Sequence, residues 1–238
     1  MTKRRIYIFP TFACTMQCPR CYQRHLRPPM DYSMPMTTCR RIFERLREED
    51  YRADECVFTG GEPTCWPHLV DALELCRNYQ PKSKIRVVTN GVGRTIADYG
   101  CADVIQVSDY GAINRIDQYH LKKQGRSRVR IQAAVHWYWN MTEKSDLPGN
   151  CGCTGLSFVG NKVWSCAMAA AAQTPDCTSI EDDFIGACGS PHEAQYQELC
   201  RSCLVNRKNR KAPKPVVQLS LWEGRSWLFQ LRCGGLRR

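Results

Sequence analysis

The strongest constraint on the fold is an alternation of short apolar runs with helical stretches between residue 5 and about residue 136. Five apolar runs have the length and composition of strands: Arg5–Phe9, Glu55–Thr59, Ile85–Thr89, Val104–Ser108 and Val129–Val135. The segments between them with helical character are Thr37–Glu49, Pro67–Asn78, Arg94–Tyr99 and Asn114–Lys123. This alternation predicts an α/β fold with a parallel sheet, and five strands suit an open, partial barrel better than a closed eightfold one.

The character of the chain changes at Pro148-Gly149-Asn150. We therefore predict a core over residues 1–148 and a small, cysteine-rich C-terminal extension over residues 149–238. Within the extension, Leu156–Val159 and Lys162–Ser165 flank Gly160-Asn161 and predict a β-hairpin, which Ala167–Ala172 follows as a short helix. Val216–Leu221 and Ser226–Leu231 are predicted as two late strands.

Charge is concentrated at the two ends of the chain. The formal net charge is +11, of which residues 1–30 contribute +6 and residues 201–238 contribute +9, so the middle is slightly acidic. Basic ends suit an anionic partner such as a nucleic acid or an acidic peptide, although they are equally typical of solubilising surface. No apolar run is long enough to span a membrane or to form a signal peptide, and we expect a cytoplasmic protein.

Sixteen cysteines are more than a cytosolic core needs, and their paired spacings favour metal binding over disulfides. Four of them lie within predicted helices or strands or beside them, and we expect these to be buried as small apolar side chains: Cys39, Cys56, Cys76 and Cys101.

The cysteines that say most about chemistry are Cys14, Cys18 and Cys21, in a C-x3-C-x2-C array directly after the first strand. Three thiolates can hold three corners of a [4Fe–4S] cube and leave the fourth iron open to a small molecule. The triplet alone could equally bind zinc, although zinc usually takes a closed set of four ligands.

Glycine and polar residues follow the next three predicted strands. Gly60-Gly61-Glu62 ends the second strand, Thr89-Asn90 ends the third, and Ser108 ends the fourth. The carboxyl ends of parallel strands are where α/β sheets bind their ligands. The ordered set therefore predicts a small-molecule site beside the cysteine triplet.

Together these motifs resemble those of the radical S-adenosylmethionine (SAM) superfamily, over roughly residues 5–136. The resemblance implies a radical SAM partial (βα)5–6 barrel in which the three cysteines hold the cluster and its open iron chelates the methionine part of SAM. It also implies that Gly60, Gly61 and Glu62 contact the SAM amino group, and that Thr89, Asn90 and Ser108 hydrogen-bond the ribose. The implied reaction is reductive cleavage of SAM to a 5′-deoxyadenosyl radical, which abstracts hydrogen from a substrate.

The C-terminal cysteines resemble the SPASM/Twitch extension, in which a hairpin and a later cysteine pair hold an auxiliary [4Fe–4S] cluster. The residues that match it are Cys153, Cys166, Cys200 and Cys203, with Gly160 in the hairpin. Zinc on the same four thiols is the main alternative. Further cysteines that could take part are Cys151, Cys177 and Cys188.

The sequence thus predicts an oxidoreductase-type radical SAM enzyme with an electron donor such as flavodoxin or ferredoxin. A ribosomally made peptide, a nucleic acid or nucleotide, and another protein all stay open as substrates. The competing interpretation is a non-catalytic nucleic-acid-binding protein stabilised by zinc or an iron–sulfur cluster, because the basic segment Arg207–Lys211 follows Cys203 closely.

Overall fold

The computed structural model of the chain describes residues 4–16, 21, 29–92, 96–109, 128–133 and 154–188. Its strands are β1 Arg5–Ile8, β2 Glu55–Phe58, β3 Lys84–Thr89, β4 Val104–Asp109, β5 Arg128–Ala133, β6 Thr154–Val159, β7 Lys162–Cys166 and β8 Thr178–Ser179. Its helices are α1 Met36–Glu48, α2 Leu69–Tyr79, α3 Ala167–Ala172 and α4 Phe184–Cys188, with 3-10 turns at Pro63–Cys65 and Ile96–Tyr99. The predicted helix Asn114–Lys123 and the predicted strands Val216–Leu221 and Ser226–Leu231 lie outside the described residues.

One eight-stranded sheet runs through the described residues, in the order β5-β4-β3-β2-β1-β6-β7-β8. The pairs from β5 through β1 to β6 are parallel, whereas β7 pairs antiparallel with both β6 and β8. The predicted α/β class with a parallel, partial-barrel sheet is confirmed, as is the hairpin after residue 150. Of the predicted helix Arg94–Tyr99, the structure describes Ile96–Tyr99, and these residues form a short 3-10 turn.

The first strand of the hairpin pairs with the core. In β6, Leu156 lies beside Ile6 and Phe158 lies beside Ile8, so β1 has a parallel neighbour on each side. Without β6, the backbone N–H and C=O groups along that side of β1 would be an unpaired edge. The sheet thus contains strands from both sides of residues 148/149, and the domain boundary placed there stays a prediction.

The core lies between the sheet and the helices that cover it. The buried residues of α1 are Cys39, Ile42, Phe43 and Leu46, a spacing of three and four that puts them on one helix face. Cys39, Cys56 and Cys76 are fully buried, as predicted, but Cys101 is exposed. The prediction for Cys101 was wrong because the residue lies in the turn between Ile96–Tyr99 and β4 rather than within an element.

Contacts on two sides join the extension to the core. On the outer side, the guanidinium of Arg41 in α1 forms an ion pair with Glu181 at 2.6 Å. At the hairpin turn, the backbone N–H of Gly160 donates to the hydroxyl of Tyr32 at 2.6 Å. The backbone oxygen of Tyr32 accepts in turn from the hydroxyl of Thr11, at 2.8 Å. The hairpin therefore braces the chain segment that leads into the cysteine triplet.

Candidate active site

The loops that follow β1 and β2 lie side by side at the carboxyl edge of the sheet. The backbone N–H of Gly61 donates to the carbonyl of Thr11 at 2.9 Å, and the N–H of Glu62 donates to the carbonyl of Ala13 at 2.7 Å. The convergence expected from the positions of the motifs is thus present for these two loops. Residues 60–62 hold the backbone that leads directly into Cys14.

Gly60 and Gly61 are required by the closeness of these two loops. A Cβ atom at Gly61 would lie less than 3.0 Å from the carbonyl oxygens of Phe12 and Ala13. A Cβ at Gly60 would meet the carbonyl oxygen of Thr11 equally closely, and the backbone φ of Gly60 is +138°, where other residues are strained. In the described structure, therefore, the glycine pair makes room for the cysteine loop.

Glu62 is buried at the centre of the site, with 1% of its surface exposed. Its Oε1 accepts from the Thr64 backbone N–H at 3.2 Å, from the Thr64 hydroxyl at 2.7 Å and from the Thr89 hydroxyl at 2.7 Å. Its Oε2 accepts from the backbone N–H of Asn90 at 2.7 Å. The pKa of Glu62 is raised above its ordinary value, because burial outweighs the hydrogen bonds from Asn90, Thr89 and Thr64, which lower it. A carboxylate that accepts from this many donors is a rigid junction between the ends of β2 and β3.

The hydroxyl of Thr89 is committed to this junction. It has one proton, which it donates to Glu62, and it accepts from the Gly91 N–H at 2.9 Å. The hydroxyl of Tyr99 lies 3.1 Å away and acts as the donor, because the Thr89 proton is already used. The predicted contact of Thr89 with ribose stays a prediction. Sequence reasoning missed Tyr99, since nothing in the motif pattern marks a tyrosine in a 3-10 turn.

Asn90 connects the end of β3 to the cysteine loop. Its side-chain oxygen accepts from the backbone N–H of Val92 at 2.9 Å. Its side-chain nitrogen lies 3.0 Å from the hydroxyl of Thr15 and 3.8 Å from the Sγ of Cys14. The backbone N–H of Met16 also donates to that Sγ, at 3.4 Å. The sulfur of the first cysteine in the triplet therefore has N–H donors from both the end of β3 and its own loop.

The thiols of Cys14 and Cys21 are both half-buried, and Cys18 lies outside the described residues. Iron–sulfur clusters use soft sulfur ligands that have N–H groups nearby, and Cys14 has this environment, so its surroundings fit such a group. Ser108, near the end of β4, is half-buried. Among the described residues, no group of three or more His, Cys, Asp or Glu side chains is placed to hold a metal ion.

Of the predicted auxiliary ligands, the structure describes Cys166, which ends β7 and is 6% exposed. Cys153, Cys200 and Cys203 lie outside the described residues, as does Cys151. The thiols of Cys177 and Cys188 are half-buried, and burial raises the pKa of Cys188 to about 11. The four-cysteine auxiliary site stays a prediction.

Comparison with protein families decides the class of the core. Residues 8–108 match the family model described as the radical SAM superfamily. Over these residues, the chain is similar to a radical SAM domain. The match supports an enzyme, and the matched span includes the cysteine triplet and every predicted SAM-binding residue: Gly60, Gly61, Glu62, Thr89, Asn90 and Ser108.

Solved structures share the fold of this chain at low sequence identity. BtrN in complex with AdoMet and 2-DOIA is similar with a TM-score of 0.62 and 13% identity, over 89% of this chain and 91% of that chain. Native anSMEcpe with bound AdoMet is similar with a TM-score of 0.58 and 13% identity, over 83% and 88%. A further structure of anSMEcpe, with bound AdoMet and the Cp18Cys peptide, gives a TM-score of 0.55 at 13% identity, over 83% and 87%. No curated protein matches the sequence.

Proposed function

We propose that this enzyme cleaves SAM reductively, with Cys14, Cys18 and Cys21 holding a [4Fe–4S] cluster and the ends of β2, β3 and β4 holding SAM. The radical SAM domain supports SAM-dependent radical chemistry and implies both cofactors. The observation that carries the proposal is the hydrogen-bonded junction at the carboxyl edge, where Glu62 and Asn90 connect β2 and β3 to the loop of Cys14.

When both are bound, one electron would pass from the cluster to SAM and so break its S–C5′ bond, which gives a 5′-deoxyadenosyl radical able to abstract hydrogen from carbon. The residues of the chain would orient these groups and exclude water from them. Glu62 has one described donor on Oε2, and a carboxylate oxygen can accept a second hydrogen bond, as from the SAM amino group. Ser108 and Asn90 are proposed to contact the ribose hydroxyls.

For the C-terminal extension we propose a second [4Fe–4S] cluster on Cys153, Cys166, Cys200 and Cys203. The position of Cys166 at the end of a hairpin strand supports it, because a strand end holds a ligand in a fixed direction. Zinc on the same thiols would serve the same structural purpose. Metal analysis separates the two, since two iron–sulfur clusters need about eight irons per chain and one needs about four.

A peptide is the substrate class that we favour. It is supported by the fold shared with anSMEcpe, whose structure contains a bound peptide. A nucleic acid or nucleotide is the second candidate, supported by the basic residues at both ends of the chain. Salt dependence separates them, because binding that releases many counterions from a polyanion weakens steeply as salt rises.

We further propose that flavodoxin or ferredoxin supplies the electron and that the enzyme works in the cytoplasm. The paired spacings of the cysteines favour metal binding over disulfides, which suits a reducing compartment. Within the described part of the chain, no helix is long and apolar enough to cross a membrane.

Anaerobic reconstitution followed by an assay of 5′-deoxyadenosine formation tests the proposal. We expect wild-type protein to bind iron and sulfide and to cleave SAM with a strong reductant, and Cys18→Ala to lose cleavage because the cluster loses a ligand. Cys101→Ala is the matched control, since Cys101 is exposed and lies outside the triplet. Full cleavage by Cys18→Ala would refute the assignment. Zinc without iron, together with salt-sensitive nucleic-acid binding and no cleavage, would support the non-catalytic alternative.

A further inference from the structure

We propose that the side-chain amide of Asn90 donates a hydrogen bond to the Cys14 thiolate and thereby raises the reduction potential of the cluster that Cys14 helps to hold. Asn90 would then be a positioning residue for the cysteine loop, besides any contact with SAM. The inference rests on the proposed function in one respect, namely that Cys14 is a cluster ligand.

The backbone of Asn90 is anchored. It follows β3 directly, and its N–H donates to Oε2 of Glu62 at 2.7 Å. Glu62 is itself held by the hydroxyls of Thr64 and Thr89, each at 2.7 Å. Asn90 is 5% exposed, so the bonds that it makes are largely shielded from water. Its position therefore depends on a buried network rather than on the loop alone.

The orientation of the Asn90 amide is also determined. Oxygen and nitrogen of an amide are assigned from their hydrogen-bond partners. The backbone N–H of Val92 can only donate, so the atom that it meets at 2.9 Å must be the amide oxygen. The NH2 group then faces the cysteine loop, with Thr15 Oγ1 at 3.0 Å and Cys14 Sγ at 3.8 Å.

Hydrogen-bond donors near a cluster sulfur favour the reduced, more negatively charged state of the cluster. Reduction of [4Fe–4S]2+ by one electron adds one negative charge, which is shared by the sulfurs, and N–H groups that point at those sulfurs stabilise it. The donors to Cys14 Sγ among the described residues include the Asn90 amide and the Met16 backbone N–H at 3.4 Å. Side-chain substitution removes the first donor and leaves the second in place, so the effect of Asn90 can be measured separately.

The test is a dithionite titration of the reconstituted, full-length enzyme, followed by electron paramagnetic resonance of the reduced cluster. We expect Asn90→Ala to lower the equilibrium constant for reduction about tenfold, which equals about 59 mV for one electron. Asn90→Asp keeps the shape and the acceptor for Val92 but turns a carboxylate oxygen toward Cys14. We expect it to lower the potential further, because a negative charge then faces the thiolate.

The matched control is Asn78→Ala, which makes the same change on the exposed face of α2 and should leave the potential unchanged. Iron and sulfide content is measured first, and Asn90→Asp gives the comparison if Asn90→Ala does not load. Loaded Asn90 variants with the wild-type potential would overturn the inference and leave the proposed function intact. A wild-type protein that binds no cluster would instead overturn the proposed function.

Discussion

Replacing Gly61 by alanine tests whether the glycine pair serves the cysteine loop. The added methyl group would lie less than 3.0 Å from two backbone carbonyl oxygens, those of Phe12 and Ala13. Backbone atoms cannot rotate away as a flexible side chain can, so the two loops must separate. Their separation would break the hydrogen bonds from Gly61 to Thr11 and from Glu62 to Ala13.

The expected cost follows from these contacts. Each lost backbone hydrogen bond contributes about 1 kcal/mol to stability. Residual overpacking adds about 1 kcal/mol or more. The free energy of unfolding of the cluster-free Gly61→Ala protein should therefore fall by about 3 kcal/mol. Cluster loading should fall as well, because the loop that leads into Cys14 loses its two anchors.

Urea denaturation and iron content measure both effects, with Gly160→Ala as the matched control. Gly160 has a φ of +60°, and a Cβ there has the Tyr32 hydroxyl at 3.7 Å as its nearest neighbour, so the cost is backbone strain without a clash. That strain amounts to about 1 kcal/mol. The reasoning would be refuted if Gly61→Ala were as stable as Gly160→Ala and bound as much iron.

Two further predictions concern the surroundings of the site. Tyr99→Phe removes the hydroxyl beside Thr89 and should lower the free energy of unfolding by about 1 kcal/mol. The melting temperature should then fall by about 3 °C. An unchanged melting temperature would contradict the described hydrogen bond. The hydrogen bond from Arg41 is the main cause that lowers the pKa of Glu181 below its ordinary value of 4.5. The ion pair therefore stabilises the folded protein above pH 4.5, and this stabilisation is lost as the pH falls through the lowered pKa of Glu181. At neutral pH and low salt, the melting temperature of the wild type should thus be higher than that of Glu181→Gln. The difference should vanish in acid. A difference that persists at pH 2 would show that it has another cause than the ion pair.

Local sequence pattern predicted the regular elements well. The five core strands were predicted to within two residues at each end, because each apolar run stops at a proline, glycine or polar residue. Helix starts were predicted less well. Pro67 was expected in the first turn of a helix that begins at Leu69, since proline fixes its own φ but does not decide where the helical hydrogen bonds begin.

Many residues of the candidate site were predictable from the sequence, but the hydrogen bonds between them were not. The motifs at the strand ends marked Glu62, Thr89 and Asn90, and parallel strands bring their carboxyl ends to one edge. Which donor meets which acceptor depends on atomic positions within a few tenths of an ångström. Tyr99 and the Met16 N–H therefore entered the site only with the structure.

The sequence by itself determined the alternation of strands and helices, the order of the motifs and the similarity of residues 8–108 to the radical SAM superfamily. These properties depend on side-chain type and local spacing, which can be read along the chain. Tertiary structure decided that β6 pairs with β1, that Gly60 and Gly61 make room for the cysteine loop, and that the Asn90 amide faces Cys14. Each of these is a contact between segments tens of residues apart, and strand order and backbone packing, rather than local preference, bring such segments together.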